Sequence, residues 1–302
     1  MSEPIDKQAF EKLKLTGKIL RETREEMKSY VREEMPVIEI CEKAEGLIRK
    51  KGAKPAFPCN VSINEVAAHY TSPPSDKTRI PENSVVKVDI GAHVDGYLTD
   101  TAITVCFNPE YKSLVETAER ALEVAIENIR RDMPTSRLGA IIERTIKSRG
   151  FKPISNLTGH EIGRYIVHTG TSLPNVSHLF SSKIKLGGLY ALEPFVTLPN
   201  AAGRVENGDE ATIFRFLKSK SLKDPYAKQL LKYIENNFRT LPFTERWLQN
   251  VGPQKHYKEA FRELLASKSL MEYRTFVEAS RKVVAQAEHT VLIAENGCVV
   301  LT

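Results

Sequence analysis

The chain has 302 residues, 41% of them hydrophobic, enough to bury a large core as one big domain or two ordinary ones. Lys and Arg outnumber Asp and Glu by 44 to 38, a mild excess spread along helical segments instead of gathered in a tail. That pattern describes solvated helix faces and argues against a dedicated, specific nucleic-acid surface, although it leaves room for transient contact with an RNA-rich assembly. The four cysteines, Cys41, Cys59, Cys106 and Cys298, form no CxxC pair and suggest neither a metal–thiolate cluster nor a disulfide framework. The opening MSEPIDKQAFEKLK lacks the apolar core of a signal peptide, and no later run is long enough to span a bilayer. A soluble cytoplasmic protein is expected.

Residues 5–52 read as two helices broken at Met35-Pro36, with Val37, Ile40, Ala44, Leu47 and Ile48 at helical spacing. A strand-rich stretch, PCNVSINEVAAHYT, follows, and then a hairpin over residues 87–105. In the hairpin, Asp95-Gly96 signals a type I′ turn between runs rich in Val, Ile, Tyr and Thr. If those two residues turn the chain, Asp89 opposes Ala102 and Asp100 opposes Gly91. A period of two then sets both acids on one face as diagonal neighbours, roughly 7–8 Å apart at the backbone. Two like charges on a half-buried face raise one pKa or attract a cation; solvated acids at a sheet edge are the plainer alternative.

Residues 109–150 form a second helical region that echoes the first. Met35-Pro36, Gly52 and Lys54-Pro55 recur 98 residues later as Met133-Pro134, Gly150 and Lys152-Pro153, and Ile48 as Ile146. This favours a duplicated helix-helix-strand unit and a pseudo-symmetric α/β (α+β) domain. The echo carries His69 to within one residue of His168. Eight residues separate His160 from His168, an even spacing that places both on one face if the strand through SNLTGHEIGRYIVHTG is regular.

Beyond LGGLYALEPFVTLP the composition changes. Asp224 caps a helix that starts at Pro225 and carries Ala227, Leu230, Leu231 and Ile234 on one face; a further helix holds Tyr257, Phe261, Leu264 and Leu265. Residues 217–273 read as a compact helical insertion, and strands return in VVAQAEHTVLIAENGCVVLT. Along these strands His160, Glu193 and Glu288 are polar residues in apolar settings. Each alone is a weak signal. With Asp89 and Asp100 they make a carboxylate-rich, thiolate-free set suited to two divalent ions of the Mn, Co, Fe or Zn kind.

Read in order, VDIGAHVDGYLTDTA, AAHYT, LTGHEIGRYIVHTG, ALEPF and QAEHTVL resemble the type II methionine aminopeptidases of the pita-bread fold over nearly the whole chain. The resemblance implies a catalytic domain of residues 1–216 and 274–302, with 217–273 as the winged-helix-like insertion that marks type II. The long charged N-terminal arm of eukaryotic members is missing, which makes the chain archaeal-like. The resemblance makes Asp89 a ligand of one metal and Asp100 and Glu288 bridging ligands, with His160 and Glu193 completing the other site. Glu193 would also handle the proton of the attacking water, while His69 and His168 contact the scissile peptide. Phe57, Val167, Phe195, Ile213 and Tyr273 would form the methionine pocket, with Pro242 close by. Two divalent ions (Co, Mn, Fe(II) or Zn) are implied, with nascent polypeptide N-termini as substrates and a monomer as the working state. Two rivals stand beside this reading. An Xaa-Pro peptidase of the same fold would use the same ligands, and a non-catalytic relative would bind nucleic acid or protein.

Overall fold

The computed structural model describes residues 6–179, 181–252 and 254–302. The first half contains α1 (Lys7–Tyr30), α2 (Val37–Lys50), β1 (Lys54–Pro55), β2 (Asn60–Ile63), β3 (Val66–Ala68), β4 (Val85–Val94) and β5 (Tyr97–Cys106). The second contains α3 (Lys112–Asn128), α4 (Thr135–Ser148), β6 (Lys152–Pro153), β7 (Thr158–Glu161), β8 (Ser172–Pro174), β9 (Leu189–Leu192) and β10 (Phe195–Thr197). Then come β11 (Val205–Phe216), α5 (Pro225–Phe238), α6 (Tyr257–Ala266), β12 (Leu270–Glu278), β13 (Val284–Gln286), β14 (Glu288–Ala294) and β15 (Gly297–Val300). None of the described helices is long and apolar enough to cross a membrane.

The internal echo is a true structural repeat. α2 and α4 begin and end 98 residues apart, and so do β1 and β6. Pro36 and Pro134 occupy the two N-cap positions with φ −60° each and ψ 131° and 133°. The segment before each helix is pinned in the same way: Glu34 N donates to Ile80 O and Asp132 N to Ile184 O, both at 2.8 Å. Each pair of helices then covers one half of a nine-stranded sheet. Leu20, Met27 and Ile40 pack on Val86, Val88 and Ile90 of β4, while Leu114, Leu138 and Ile142 pack on Tyr190, Leu192 and Val291.

The hairpin forms as expected. Asp95 (φ 52°) and Gly96 (φ 84°) both take the left-handed conformation that a type I′ turn requires, and the register sets Asp89 against Ala102 and Asp100 against Gly91. Because even-numbered β4 residues face the helices, Lys87, Asp89 and Gly91 face the other way. The main sheet runs β1-β4-β5-β14-β9-β7-β8. A three-stranded sheet, β11-β12-β3, lies across from its site-bearing face, with Phe195, Leu157 and Ala68 packed between.

Asp224 caps α5 by accepting from Tyr226 N at 2.8 Å, with Pro225 in the first turn. α5 and α6 share a core of their own, built around Leu230, Ile234, Phe243, Phe261 and Leu264. β12 starts at Leu270, so Tyr273 belongs to the sheet and not to the helices. A buried cluster ties the insertion to α2. Glu45, 2% exposed, accepts from Arg246 Nη2 at 2.8 Å and from Trp247 Nε1 at 2.6 Å.

One local expectation fails. His160 and His168 do not share a regular strand, because β7 ends at Glu161 and the chain reverses through a Gly163–Ile166 bridge, with Tyr165 at φ 58°. Thr169 N then donates back to Glu161 O. The fold-back still brings the two rings together, with centroids 4.1 Å apart. A turn, not strand parity, makes that contact.

Candidate metal centre

Five consecutive strands of the main sheet, β4, β5, β14, β9 and β7, each deliver one of the five expected ligands. Asp89, Ala102 and Glu288 form one cross-strand row. Glu193, the first residue beyond β9, falls opposite Glu288 when the β9–β14 register is continued by one step. The next row on the same face holds Gly91, Asp100, Thr290, Ala191 and His160. Small residues between the acids leave the space open. At Gly91 a Cβ would come within 2.3 Å of the Phe57 ring, so that position keeps room for an aromatic wall.

His160 Nε2 lies 3.6 Å from both Asp100 Oδ2 and Glu193 Oε1. Ligand atoms of Asp100, His160 and Glu288 all fall within 4.8 Å of one another. These three residues are buried, at 3%, 6% and 1% exposure. A neutral side chain donates to two of the carboxylates: Gln286 Nε2 reaches Glu193 at 3.5 Å and Glu288 at 3.3 Å. Among the described residues no Lys or Arg pairs with any of the four acids.

Burial pushes the Asp89 carboxyl up to about 7. Burial and the neighbouring carboxylates drive Asp100, Glu193 and Glu288 well above the usual carboxylate range. Burial and the nearby His168 hold His160 neutral. Asp89 Oδ1, Asp100 Oδ1 and Glu288 Oε1 are enclosed without any hydrogen-bond partner. Orphaned acceptors, mutual repulsion and a neutral imidazole together fit hard or borderline divalent cations. A purely structural acid cluster would leave these atoms unsatisfied and costly.

The carboxylates floor a cavity of about 220 Å³ whose walls include His69, His168, Phe57, Val167, Phe195, Ile213, Tyr273 and Pro242, so it gathers every residue singled out in the sequence. Burial first, and His168 next, hold His69 down to about 4. Desolvation and then Arg215 hold His168 near 4 as well, although part of that residue stays open to the mouth. The sequence reading missed Asn60, Asn156, Leu157, Thr158 and Phe276, which also line the cavity. Asn60 extends the first row, since it pairs with Asp89 across β2 and β4. The repeat offered a signal for two of them, because Asn60 and Thr158 are 98 residues apart.

Comparison with known proteins gives a consistent result. A family model for metallopeptidase family M24 matches residues 11–295. The methionine aminopeptidase of Methanothermobacter thermautotrophicus is 41% identical over 289 residues, covering 95% of this chain and 96% of that one. Among solved structures, a thermophilic Arx1 superposes with TM-score 0.84 at 17% identity, covering 98% of this chain and 91% of the other. A Thermotoga maritima methionine aminopeptidase superposes with TM-score 0.72 at 22% identity, covering 100% of this chain and 99% of the other. These structural likenesses bear on the fold, which is the pita-bread α/β architecture expected from the sequence.

Proposed function

Because the chain belongs to metallopeptidase family M24, we infer that its reaction is the metal-dependent hydrolytic removal of the initiator methionine from polypeptide N-termini. The single observation that carries this reading is the sequence relation to methionine aminopeptidases over nearly the full length of both chains. The finer reading is of two divalent ions (Co, Mn, Fe(II) or Zn), which Asp89, Asp100, His160, Glu193 and Glu288 would hold. Its support is the two-row arrangement on five adjacent strands and the orphaned oxygens within it. When bound, such ions lower the pKa of water and neutralise charge on an attacked carbonyl.

The chain's own residues supply the rest. Glu193 accepts the proton of the attacking water, a role suited to a buried carboxylate whose proton affinity is raised by burial and by the neighbouring Asp89. His69 and His168 are neutral at physiological pH, so each offers one N–H to the peptide carbonyl or its developing oxyanion without adding charge. Phe57, Val167, Phe195, Ile213 and Tyr273 form an apolar wall sized for a thioether side chain, and small residues following methionine fit the remaining space. The helical insertion, residues 217–273, reads as the type II module.

A cytoplasmic monomer in transient contact with the ribosome completes the reading. Charge supports the ribosome contact: residues 217–273 hold 11 Lys and Arg against 6 Asp and Glu, a net +5 of the chain's +6. The test is hydrolysis of Met-Gly, Met-Ala and Met-Ser peptides beside Met-Leu by metal-loaded protein and by Glu193→Gln. Release from the first three only, abolished by the substitution, is expected; equal release from Met-Leu would contradict the proposed limit on the second residue.

A further inference from the structure

An open pocket of about 370 Å³ adjoins the carboxylate cavity and shares His69, His168 and Tyr273 with it. Its new walls are Arg215, Thr240 and Met271. The register explains the adjacency. Ile213 faces Tyr273 across β11 and β12, and Arg215 faces Met271. With a side-chain period of two, the arginine row follows the Ile213 row on the same face. From Thr240 the path continues into a third pocket beside Arg239 and Glu235.

Arg215 has no settled partner. It is half-buried and forms no ion pair among the described residues, and its Nε is enclosed without a hydrogen bond. Its one hydrogen bond there runs 3.8 Å from Nη2 to the Met271 thioether, a weak acceptor. Arg246 shows what a structural arginine in this fold looks like, since its guanidinium holds Glu45, Thr71 and the Ser72 carbonyl. Its enclosed Nε goes unpaired while the guanidinium keeps spare donors at the pocket wall, and its planar fork matches a carboxylate.

We propose that Arg215 is a specificity-determining residue that binds an acidic side chain of the substrate polypeptide just beyond the scissile bond, favouring N-termini with Asp or Glu at the third or fourth position. The proposal rests on the aminopeptidase reading, because an amino terminus anchored over the carboxylates leaves the second pocket as the way out for the rest of the chain. Arg239, further along the same path, adds positive charge there, while Glu235 is engaged by Ser219 at 3.3 Å.

The test is kcat/KM for C-terminally amidated Met-Ala-Ala-Ser and its variants with Glu, Gln or Lys at position three or four. Amidation removes a competing terminal carboxylate. Wild-type protein should prefer Glu over Lys by about 10-fold at one of these positions, mainly through KM, with the ratio shrinking as salt rises. Arg215→Lys should keep part of the preference, Arg215→Met should erase it and Arg215→Glu should invert it. The neutral peptide is each variant's own reference, so a folding defect lowers all peptides together and leaves the ratio untouched. A wild-type ratio near one at both positions, or a ratio unmoved by Arg215→Glu, overturns the proposal while the aminopeptidase reading stands. No methionine released from any peptide by wild-type protein would defeat that reading instead, and this proposal with it.

Discussion

Replacing Glu288 with Gln should stabilise the metal-free protein while removing its response to metal. The magnitude follows from the acid cluster. Each pKa unit is worth ~1.36 kcal/mol, so raising Asp89 from 3.8 to about 7 means that ionising it costs the metal-free fold about 4 kcal/mol. Glu288, at 1% exposure and with Oε1 orphaned, sits among the same acids. An isosteric amide removes one ionisable group from the four-acid cluster, keeps an acceptor for Gln286 and gains a donor toward its neighbours. We expect a gain of about 1–3 kcal/mol at pH 8, or roughly 2–6 °C in Tm.

The sign of the pH dependence is fixed. The folded-state pKa of Glu288 is raised, so the stability linked to its acid form is full below the unfolded value near 4.5 and is lost as pH rises through the folded value. The advantage of Glu288→Gln should therefore vanish near pH 4.5 and grow toward pH 8. Differential scanning calorimetry in chelator at the two pH values measures it, and added Mn²⁺ should raise the Tm of wild-type protein far more than that of the variant. A variant less stable than wild-type protein by the same amount at both pH values would refute the reasoning, since it would mean that Glu288 is an ordinary satisfied core residue.

Three further outcomes are expected. His160→Ala should lose much of the affinity for the ion held with Glu193, whereas His168→Ala should keep metal and lose mainly kcat; calorimetric metal titration beside steady-state kinetics separates them, and equal metal loss in both would show the roles to be wrong. Glu45→Ala strands the buried Arg246 guanidinium and should cost about 3–5 kcal/mol in denaturant unfolding; a cost under about 1 kcal/mol would mean that the cluster does not anchor the insertion. Gly52→Ala and Gly150→Ala, at φ 92° and 83° with open space around each, should cost a similar ~1 kcal/mol, as equivalent positions of a repeat must.

Local signals in the sequence are reliable where a turn or a cap sets the geometry. Asp95-Gly96 determines the register of its hairpin, so the diagonal of Asp89 and Asp100 follows from the order of the residues alone. Asp224-Pro225 likewise marks where α5 starts. The 98-residue echo identifies the halves because proline and glycine at helix ends constrain the backbone directly. Long-range register is not legible in this way. β14 inserts between β5 and β9, placing Glu288 beside Ala102 across 186 residues, and no local periodicity encodes that pairing. Residue type alone groups Glu193 and Glu288 with the hairpin acids, but only the resemblance gives each of them a role. The reversal at Gly163–Ile166 is hidden because a tyrosine occupies its left-handed position. Asn60 and Arg215 escape notice for a related reason: their importance lies in what stands across the sheet from them.

Titrating chelated protein with Mn²⁺ while following release of Met from Met-Ala-Ser and cleavage of an Xaa-Pro peptide tests metal-dependent methionine release directly. Met release should appear with metal, saturate at two ions per chain and far outpace any Xaa-Pro cleavage. Xaa-Pro cleavage as fast as Met release, or full activity without metal, would contradict it.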